Sequence, residues 1–179
     1  MAPIQITRGG GVACGAGMAT DVRIEPWRQQ DLGLLQALLG DPAMMVHLGG
    51  PESAEQIAER QTRYLRPDSG CFRIVSEGAA AGWVGAWERE WRGETVAEVG
   101  WSVLPAAQGR GLASAATALL LEHAAGLGRW RFAHAFPAVA NAASNAICAR
   151  LGFERLGAHD FEYPKGSWLR CNDWRISLS

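Results

Sequence analysis

The sequence lacks the features of a membrane or nucleic-acid-binding protein. No apolar run approaches the roughly 20 residues needed to cross a bilayer, and no long apolar segment of signal-peptide type occurs near the N-terminus. Lys and Arg number 17 against 18 Asp and Glu, a formal net charge of -1. Such a balance provides no domain-wide positive field to hold a nucleic-acid backbone. We therefore expect a cytoplasmic protein that binds neither membranes nor nucleic acid.

Cysteine is scarce and widely spaced, at Cys14, Cys71, Cys148 and Cys171. No C-x-x-C pair occurs, so the spacing typical of a metal site is absent. A disulfide framework is also not expected in a chain long enough to build its own core. We expect reduced thiols and no metal.

The length and composition of the chain indicate one globular domain. The chain has 179 residues, of which 48% are hydrophobic and 20% charged, an ordinary composition for a single folded unit. Residues 1–20 are rich in Gly and Ala, which predicts a flexible extension before a domain at 21–179, with Met18 as an alternative start. No internal repeat or linker divides the rest.

Hydrophobic periodicity predicts the element order β-α-α-β-β-β-α-β-α-β-β. The first helix follows Asp31, interpreted as its N-cap, and the second opens with a Ser53-x-x-Gln56 capping box. The strands are expected at 22–27, 71–76, 80–90, 94–104 and 130–136 and on both sides of a Pro164-Lys165-Gly166 turn, with later helices from about 112 and at 141–151. This order indicates a mixed α/β domain with a mostly antiparallel central sheet flanked by helices.

The loop between the strand at 94–104 and the next helix has the character of an anion site. Gly109 and Gly111 lie where the helix begins, and the first helical turn has unpaired N–H groups and the positive end of the helix dipole. A phosphate or pyrophosphate could bind there. The alternative is a plain turn that uses glycine for flexibility. The G-x-G-x-x-G dinucleotide pattern and the Gly-Lys-Ser/Thr of a P-loop are both absent.

Two motifs carry a family resemblance. Gln108-x-x-Gly111-x-Ala113 resembles the Q/R-x-x-G-x-G/A acyl-CoA signature of the GNAT superfamily of N-acetyltransferases. Downstream, an Asn141-x-x-Ser144 helix that closes on Leu-Gly-Phe is similar to the second motif of that family. Motif-level similarity covers 98–153, and the helix resembles the branch that acetylates ribosomal-protein and other N-termini.

The resemblance implies a reaction and a set of ligand residues. The co-substrate would be acetyl-CoA, and the acceptor a primary amine on a protein N-terminus or a small molecule. The alternative is a catalytically silent GNAT-fold protein that binds or senses acyl-CoA, as a monomer or homodimer in either case. Acetyl-CoA would be bound by Ser102, Val103, Leu104, Gln108, Gly109, Arg110, Gly111, Leu112, Ala113, Asn141, Ser144 and Cys148.

The resemblance also implies three catalytic roles. The backbone N–H of Val103 would stabilise the oxyanion, Glu98 would take the amine's proton through a water, and Ser144 would protonate the departing thiolate. Cys148 stands where many relatives have a tyrosine acid, and is interpreted as a small buried residue. Glu98 could instead be a solvated strand residue or an ion-pair partner, and Asn141 could also cap its helix.

Other residues receive weaker interpretations. His134, among apolar neighbours, is interpreted as structural rather than as a base. Trp83, Trp87 and Trp91 are predicted to share one strand face. Acceptor contacts are expected from Trp27, His47, Trp87, Glu162, Tyr163 and Asp173.

Overall fold

The computed structural model describes the backbone of Ile6–Thr7 and residues 21–162 and 166–179 in full. The remainder of the predicted extension at 1–20, with Met18 and Cys14, lies outside these residues, as do Tyr163, Pro164 and Lys165. The strands are β1 (Ile6–Thr7), β2 (Val22–Pro26), β3 (Cys71–Ser76), β4 (Ala79–Trp91), β5 (Glu94–Val103), β6 (Phe132–Ala135), β7 (Glu154–Glu162) and β8 (Trp168–Ser177). The α-helices are α1 (Leu32–Leu39), α2 (Ala54–Tyr64), α3 (Leu112–Leu127) and α4 (Ala142–Arg150).

Within the described residues, the strands form one eight-stranded sheet in the order β1-β2-β3-β4-β5-β6-β8-β7. Neighbouring strands are antiparallel except β5 and β6, which are parallel. A parallel pair needs a long crossover, and α3 lies within the connection from β5 to β6. The predicted mixed α/β fold with a mostly antiparallel sheet is confirmed.

Two tight turns hold the central strands in register. Glu77 and Gly78, between β3 and β4, have φ angles of 53° and 80°, and Arg92 and Gly93, between β4 and β5, have the same two values. Positive φ at both central residues is the requirement of a two-residue turn that matches the twist of its strands. These turns confirm the predicted β3-β4-β5 meander.

The helix starts differ in how well they were predicted. Ser53 and Gln56 form the expected capping box of α2, with the side-chain oxygen of each accepting the other's backbone N–H, at 3.3 Å and 2.8 Å. Asp31 is the N-cap residue of α1, as predicted, but its carboxylate makes no cap bond to that helix. It accepts hydrogen bonds from the backbone of Arg28 and the guanidinium of Arg73 instead.

The two faces of the sheet have separate cores because side chains alternate across a strand. α3 covers one face, where Leu120 packs with Val84 and Val99. α1 and α2 cover part of the other face, where Leu35 packs in the same cluster as Trp83. Full burial of a leucine stabilises the fold by about 2 kcal/mol. None of the helices in the described part of the chain is both long and apolar enough to span a bilayer.

Candidate active site

Strands β5 and β6 separate soon after they pair. Their ladder consists of the pairs Ala97↔Ala133 and Glu98↔His134, whereas β5 stays paired with β4 along its whole length. Among the described strands, residues 99–103 therefore have a neighbour on one side only. The backbone groups on the other side border a gap in the sheet.

The direction of the Val103 N–H follows from the hydrogen-bond pattern. Leu104 donates its N–H to the carbonyl of Ala81 at 2.8 Å, on the β4 side. Successive residues of an antiparallel strand direct their N–H groups to opposite sides. The N–H of Val103 therefore points away from β4, into the gap, where a donor to an oxyanion would have to lie.

A glycine on β4 permits this arrangement. Gly82 pairs with Val103, and a Cβ at Gly82 would collide with the carbonyl oxygen of Ser102 and lie 2.9 Å from the Cα of Val103. Any side chain there would push the end of β5 outward. The sequence offers no signal for this requirement, because Gly82 stands in an unremarkable run of small residues.

The loop after β5 leads into an uncapped helix. Gly109 and Gly111 have φ angles of 75° and 76°, and Gly111 is the N-cap of α3, which receives no side-chain cap bond. Ala115 makes the first helical hydrogen bond, to the carbonyl of Gly111. The N–H groups of residues 112–114 therefore have no partner within the helix. N–H groups of this kind can bind an anion, and the helix dipole favours one there, so we call residues 112–114 the cradle.

The role of the two loop glycines is conformational. A Cβ at Gly109 or Gly111 would meet no described atom within 4 Å, so crowding does not require glycine there. The left-handed backbone does, because it disfavours every residue with a Cβ. Gln108 lies beside them, and its Nε2 donates to the carbonyl oxygen of Val103 at 3.0 Å. The predicted ligand Gln108 thus joins the loop to the end of β5.

Two arginines lie close to this cradle. Arg110 in the loop pairs with Glu77 at 2.6 Å, and Arg150 at the end of α4 reaches the hydroxyl of Ser114 at 3.4 Å. Arg150 belongs to the second motif but was assigned no role from the sequence. Its contact with the first turn of α3 places a second positive charge near the unpaired N–H groups.

Helix α4 carries the second motif. Asn141 caps it, with Oδ1 accepting the N–H of Ser144 at 3.0 Å, so the capping interpretation of Asn141 is correct. The hydroxyl of Ser144 has no partner among the described residues and lies half-buried in the first turn. Cys148 is fully buried in the core next to α3, and burial raises the pKa of its thiol to about 12.

Asn145 holds α4 against β8. Its Nδ2 donates to the carbonyls of Ala138 and Asn141, and its Oδ1 accepts from Asn172 at 2.7 Å and from Trp174 at 2.8 Å. All the hydrogen-bonding groups of the amide are used, so Asn145 fixes the position of the neighbouring Ser144. Sequence reasoning passed over Asn145, although its place next to Ser144 was a usable signal.

Glu98 projects from β5 into an aromatic and charged cluster. Its Oε2 accepts a hydrogen bond from Arg89 at 2.6 Å. The guanidinium of Arg89 lies 4.8 to 5.3 Å from the ring centroids of Trp91, Phe136 and Phe161, within the range of cation–π attraction. The ion-pair reading of Glu98 is thus present in the structure, and we call these five residues the Arg89 cage.

Two indole rings cover the space between Glu98 and Ser102. The intervening residue on this face is Gly100, and a Cβ there would lie 3.0 Å from Trp87 and 3.3 Å from Trp83. Both tryptophans project from β4 on the face predicted for them. By contrast, Trp27 is buried against Tyr64 and donates its indole N–H to Gln61, so the expectation that it contacts an acceptor is wrong.

His134 is buried, in line with its structural interpretation, and it has an acidic partner that its sequence neighbours did not indicate. Its Nδ1 lies 2.7 Å from Oδ1 of Asp173, and both side chains are buried. Asp173 also accepts the indole N–H of Trp91 at 3.0 Å. The expectation that Asp173 binds an amine directly is wrong, because its carboxylate is wholly buried and already bonded. Glu162, another residue expected to contact the acceptor, accepts the backbone N–H of Gly166.

The described residues hold no group of three or more His, Cys, Asp or Glu side chains placed to bind a metal ion. The cysteines within that part of the chain, Cys71, Cys148 and Cys171, are free and buried. Burial raises the pKa of the Cys71 thiol to about 12 as well. None of the three is therefore a ready thiolate.

Several solved structures of similar architecture are acetyltransferases. A GNAT-family acetyltransferase from Bacillus anthracis has a TM-score of 0.74 at 19% identity, over 88% of this chain and 95% of that one. The ribosomal L7/L12 alpha-N-protein acetyltransferase RimL in complex with coenzyme A gives 0.71 at 21%, over 89% and 94%. An acetyltransferase of Salmonella typhimurium that modifies the N-terminal serine of ribosomal protein L7/L12 gives 0.72 at 22%, over 90% and 96%.

At these identities the structures establish the fold alone, and a comparison with curated protein sequences found no significant match. The family follows from the sequence profile of the acetyltransferase (GNAT) domain, which matches residues 21–154 and so covers both motifs and every strand from β2 to β6. The chain therefore belongs to the GNAT acetyltransferase family.

Proposed function

We propose that this chain is an N-acetyltransferase that moves the acetyl group of acetyl-CoA directly to a primary amine. The observation that carries the proposal is the placement of two features on one segment. The unpaired edge of β5 at residues 99–103 is followed by an eight-residue loop, 104–111. This loop leads into the uncapped N-terminus of α3. An extended acyl-pantetheine arm and a pyrophosphate are joined in the same order in coenzyme A.

The residues divide the chemistry among them. The cradle at residues 112–114 would hold the pyrophosphate, with Arg110 and Arg150 adding charge. The N–H of Val103, directed into the gap, would donate to the oxygen of the thioester as negative charge develops there. Asn141 uses its oxygen as a cap, which leaves its amide nitrogen to donate to the pantetheine arm.

Two side chains would move protons. Glu98, on the last paired rung before the gap, would receive the proton of the incoming ammonium through a water. The unbonded hydroxyl of Ser144 would protonate the thiolate as the carbon–sulfur bond breaks. Cys148 cannot take that role, because its thiol is buried in the core.

For the acceptor, we favour a peptide N-terminus over a small polyamine. The relatives of similar fold include enzymes described as acting on the N-terminus of a ribosomal protein. The open face beside Glu98 is lined by indole rings rather than by several free carboxylates. Buried free thiols fit a reducing, cytoplasmic location.

The test is acetyl-CoA turnover with a panel of short peptides and small amines, followed by thiol release and by mass spectrometry of the acceptor. We expect at least one peptide with a free α-amine to be acetylated and its N-acetylated counterpart to be inert. The variant Gly111→Glu should fold and lose coenzyme A binding, because its carboxylate would enter the cradle. Tight coenzyme A binding without thiol release from any amine would instead favour the silent acyl-CoA sensor.

A further inference from the structure

We propose that His134, oriented by Asp173, takes from Glu98 the first proton that the acceptor amine loses. This inference rests on the proposed function and extends its proton path by one residue. His134 and Glu98 are register partners on the last rung of β5 and β6. Partners on adjacent strands project to the same face of the sheet, so both side chains stand side by side where the gap begins.

The partners of His134 determine which ring nitrogen is available. Nδ1 is hydrogen bonded to Oδ1 of Asp173, while Phe136 stacks on the ring at 5.8 Å. A carboxylate only accepts hydrogen bonds, so Nδ1 carries the hydrogen and Nε2 of the neutral ring is the acceptor. Within the described residues Nε2 has no hydrogen-bond partner. The imidazole is thus held in the tautomer of a base.

Asp173 is suited to hold this tautomer because it cannot turn away. Its second oxygen accepts the indole N–H of Trp91 at 3.0 Å, and Arg92 lies 3.9 Å from the same oxygen. The carboxylate is wholly buried. A buried carboxylate bonded to Nδ1 also stabilises the imidazolium that forms when Nε2 takes a proton.

Each of the two protons that the nitrogen loses has its own acceptor. The ammonium loses one proton through water to Glu98, which passes it to Nε2 of His134 and remains a carboxylate. The amine lone pair forms the bond to the thioester carbon, and the carbon–sulfur bond of the adduct breaks. The second proton lost by the nitrogen ends on the thiolate through Ser144. The imidazolium releases its proton to solvent, which restores the enzyme.

Charged groups around the ring come from each neighbouring strand. On the same face as His134 lie Glu98 on β5, Arg89 on β4, His159 on β7, and Cys171, Asp173 and Arg175 on β8. Arg92, in the turn after β4, is hydrogen bonded to His159. Arg89 is bonded to Glu98, and Arg175 to Glu154. The pKa of Cys171 is raised by burial and further by the charge of Glu98. Of these groups in the described structure, Asp173 is the one hydrogen bonded to the imidazole.

The first measurement is the pH dependence of kcat/KM with a peptide acceptor. In the wild type we expect kcat/KM to fall as the pH is lowered, because a protonated Nε2 can no longer accept the proton. His134→Gln should lower kcat by about 100-fold, the usual contribution of a proton acceptor, and should remove that acid limb. The matched control is His123→Gln, since His123 lies on α3, on the other face of the sheet, where it contacts Phe72 edge-on. It should keep the wild-type profile.

A second pair of variants leaves His134 in place and changes only its tautomer. In Asp173→Asn the indole of Trp91, which can only donate, should bind the amide oxygen and leave the amide NH2 facing Nδ1. Nδ1 then becomes the acceptor and Nε2 carries the hydrogen. Activity should fall as it does for His134→Gln. Adding Trp91→Phe frees the amide to turn its oxygen toward Nδ1. The double variant should therefore be at least tenfold more active than Asp173→Asn alone.

The tautomer can be read independently of turnover, by the ¹⁵N chemical shifts of the imidazole. We expect hydrogen on Nδ1 in the wild type and on Nε2 in Asp173→Asn. An unchanged pH profile in a folded His134→Gln, or hydrogen on Nε2 in the wild type, would overturn the proton path while leaving the acetyltransferase intact. Wild-type protein that binds coenzyme A and acetylates no amine would overturn the proposed function and the path with it.

Discussion

The side chain of Gln108 donates a hydrogen bond from Nε2 to the carbonyl oxygen of Val103, 3.0 Å away. It links the end of β5, whose N–H points into the gap, to the loop that precedes the cradle of α3. The two halves of the proposed acetyl-CoA site are thus joined by one uncharged side chain.

Replacing Gln108 by Ala should therefore weaken coenzyme A binding without unfolding the protein. Loss of one hydrogen bond of this kind costs about 1 kcal/mol, or about a fivefold rise in Kd. Isothermal titration calorimetry with coenzyme A measures it. Gln36→Ala, an exposed position on α1, serves as the control and should leave Kd unchanged. Equal affinities in the two variants would mean that the loop holds its shape without Gln108.

Two glycines of the same helix allow a paired test of the cradle. Gly111→Ala must place a Cβ on a backbone with φ of 76°, at a cost of about 1 kcal/mol or more, and we expect weaker coenzyme A binding and a lower Tm. Gly126→Ala lies inside α3 with no described atom within 4 Å. It should raise stability by up to about 1 kcal/mol and leave affinity alone. Thermal unfolding and calorimetry of both variants separate the two effects.

Asn145→Ala should loosen the attachment of α4 to the sheet. It removes the acceptor shared by Asn172 and Trp174 and leaves both donors unpaired. We expect a loss of about 3 kcal/mol in the free energy of unfolding, since each unsatisfied group costs about 1–3 kcal/mol. Turnover should fall as well, because Ser144 is the next residue along the helix. A stable variant with normal turnover would show that α4 is held by its apolar contacts alone.

The ion pairs beneath α1 should make stability depend on pH. The hydrogen bond from Arg73 lowers the pKa of Glu25, and nearby arginine charges act in the same direction, while burial opposes them. The unfolded chain then binds this proton more tightly. The stabilisation is complete above the unfolded pKa and is lost as the pH falls through the lower, folded pKa.

Urea unfolding of wild type between about pH 6 and pH 3 should show this decline. Glu25→Gln should be less stable by about 2 kcal/mol at neutral pH and should give a flatter curve. Glu154→Gln is the matched control, because Glu154 also pairs with an arginine but is 66% exposed. It should differ from wild type by less than about 1 kcal/mol. If the free energy of unfolding depended on pH equally in wild type and Glu25→Gln, Glu25 would not be the source of the pH dependence.

The fold could be predicted from the sequence where local chemistry determines the outcome. Turn residues such as Glu77-Gly78 and the Ser53 capping box act within a few residues, and strand alternation correctly places Trp83 and Trp87 on one face. Pairs of residues that are far apart in the sequence but bonded in the structure could not be predicted in this way. Arg73 takes the carboxylate of Asp31 away from its helix, and Asp173 reaches His134 from 39 positions away. No local pattern encodes either pairing.

The candidate site divides along the same line. The Gly109 and Gly111 loop is contiguous in the chain, and the left-handed backbone at both positions agrees with its motif. The requirement for Gly82 comes from the approach of Ser102 on another strand, and the Arg89 cage gathers rings from β4, β7 and the end of β6. Such assemblies depend on register, which the sequence alone does not specify.

The short ladder between β5 and β6 also has a consequence for how the chain assembles. Strands β2 to β5 with α3 occupy residues 22–127, and strands β6 to β8 with α4 occupy residues 132–177. Each half of the sheet is thus made from one continuous stretch, and only two residue pairs join β5 to β6. A chain divided at Gly128 should therefore yield two fragments that recombine mainly through side-chain packing. Coenzyme A, at the site proposed above, would span the junction and favour association of the two fragments.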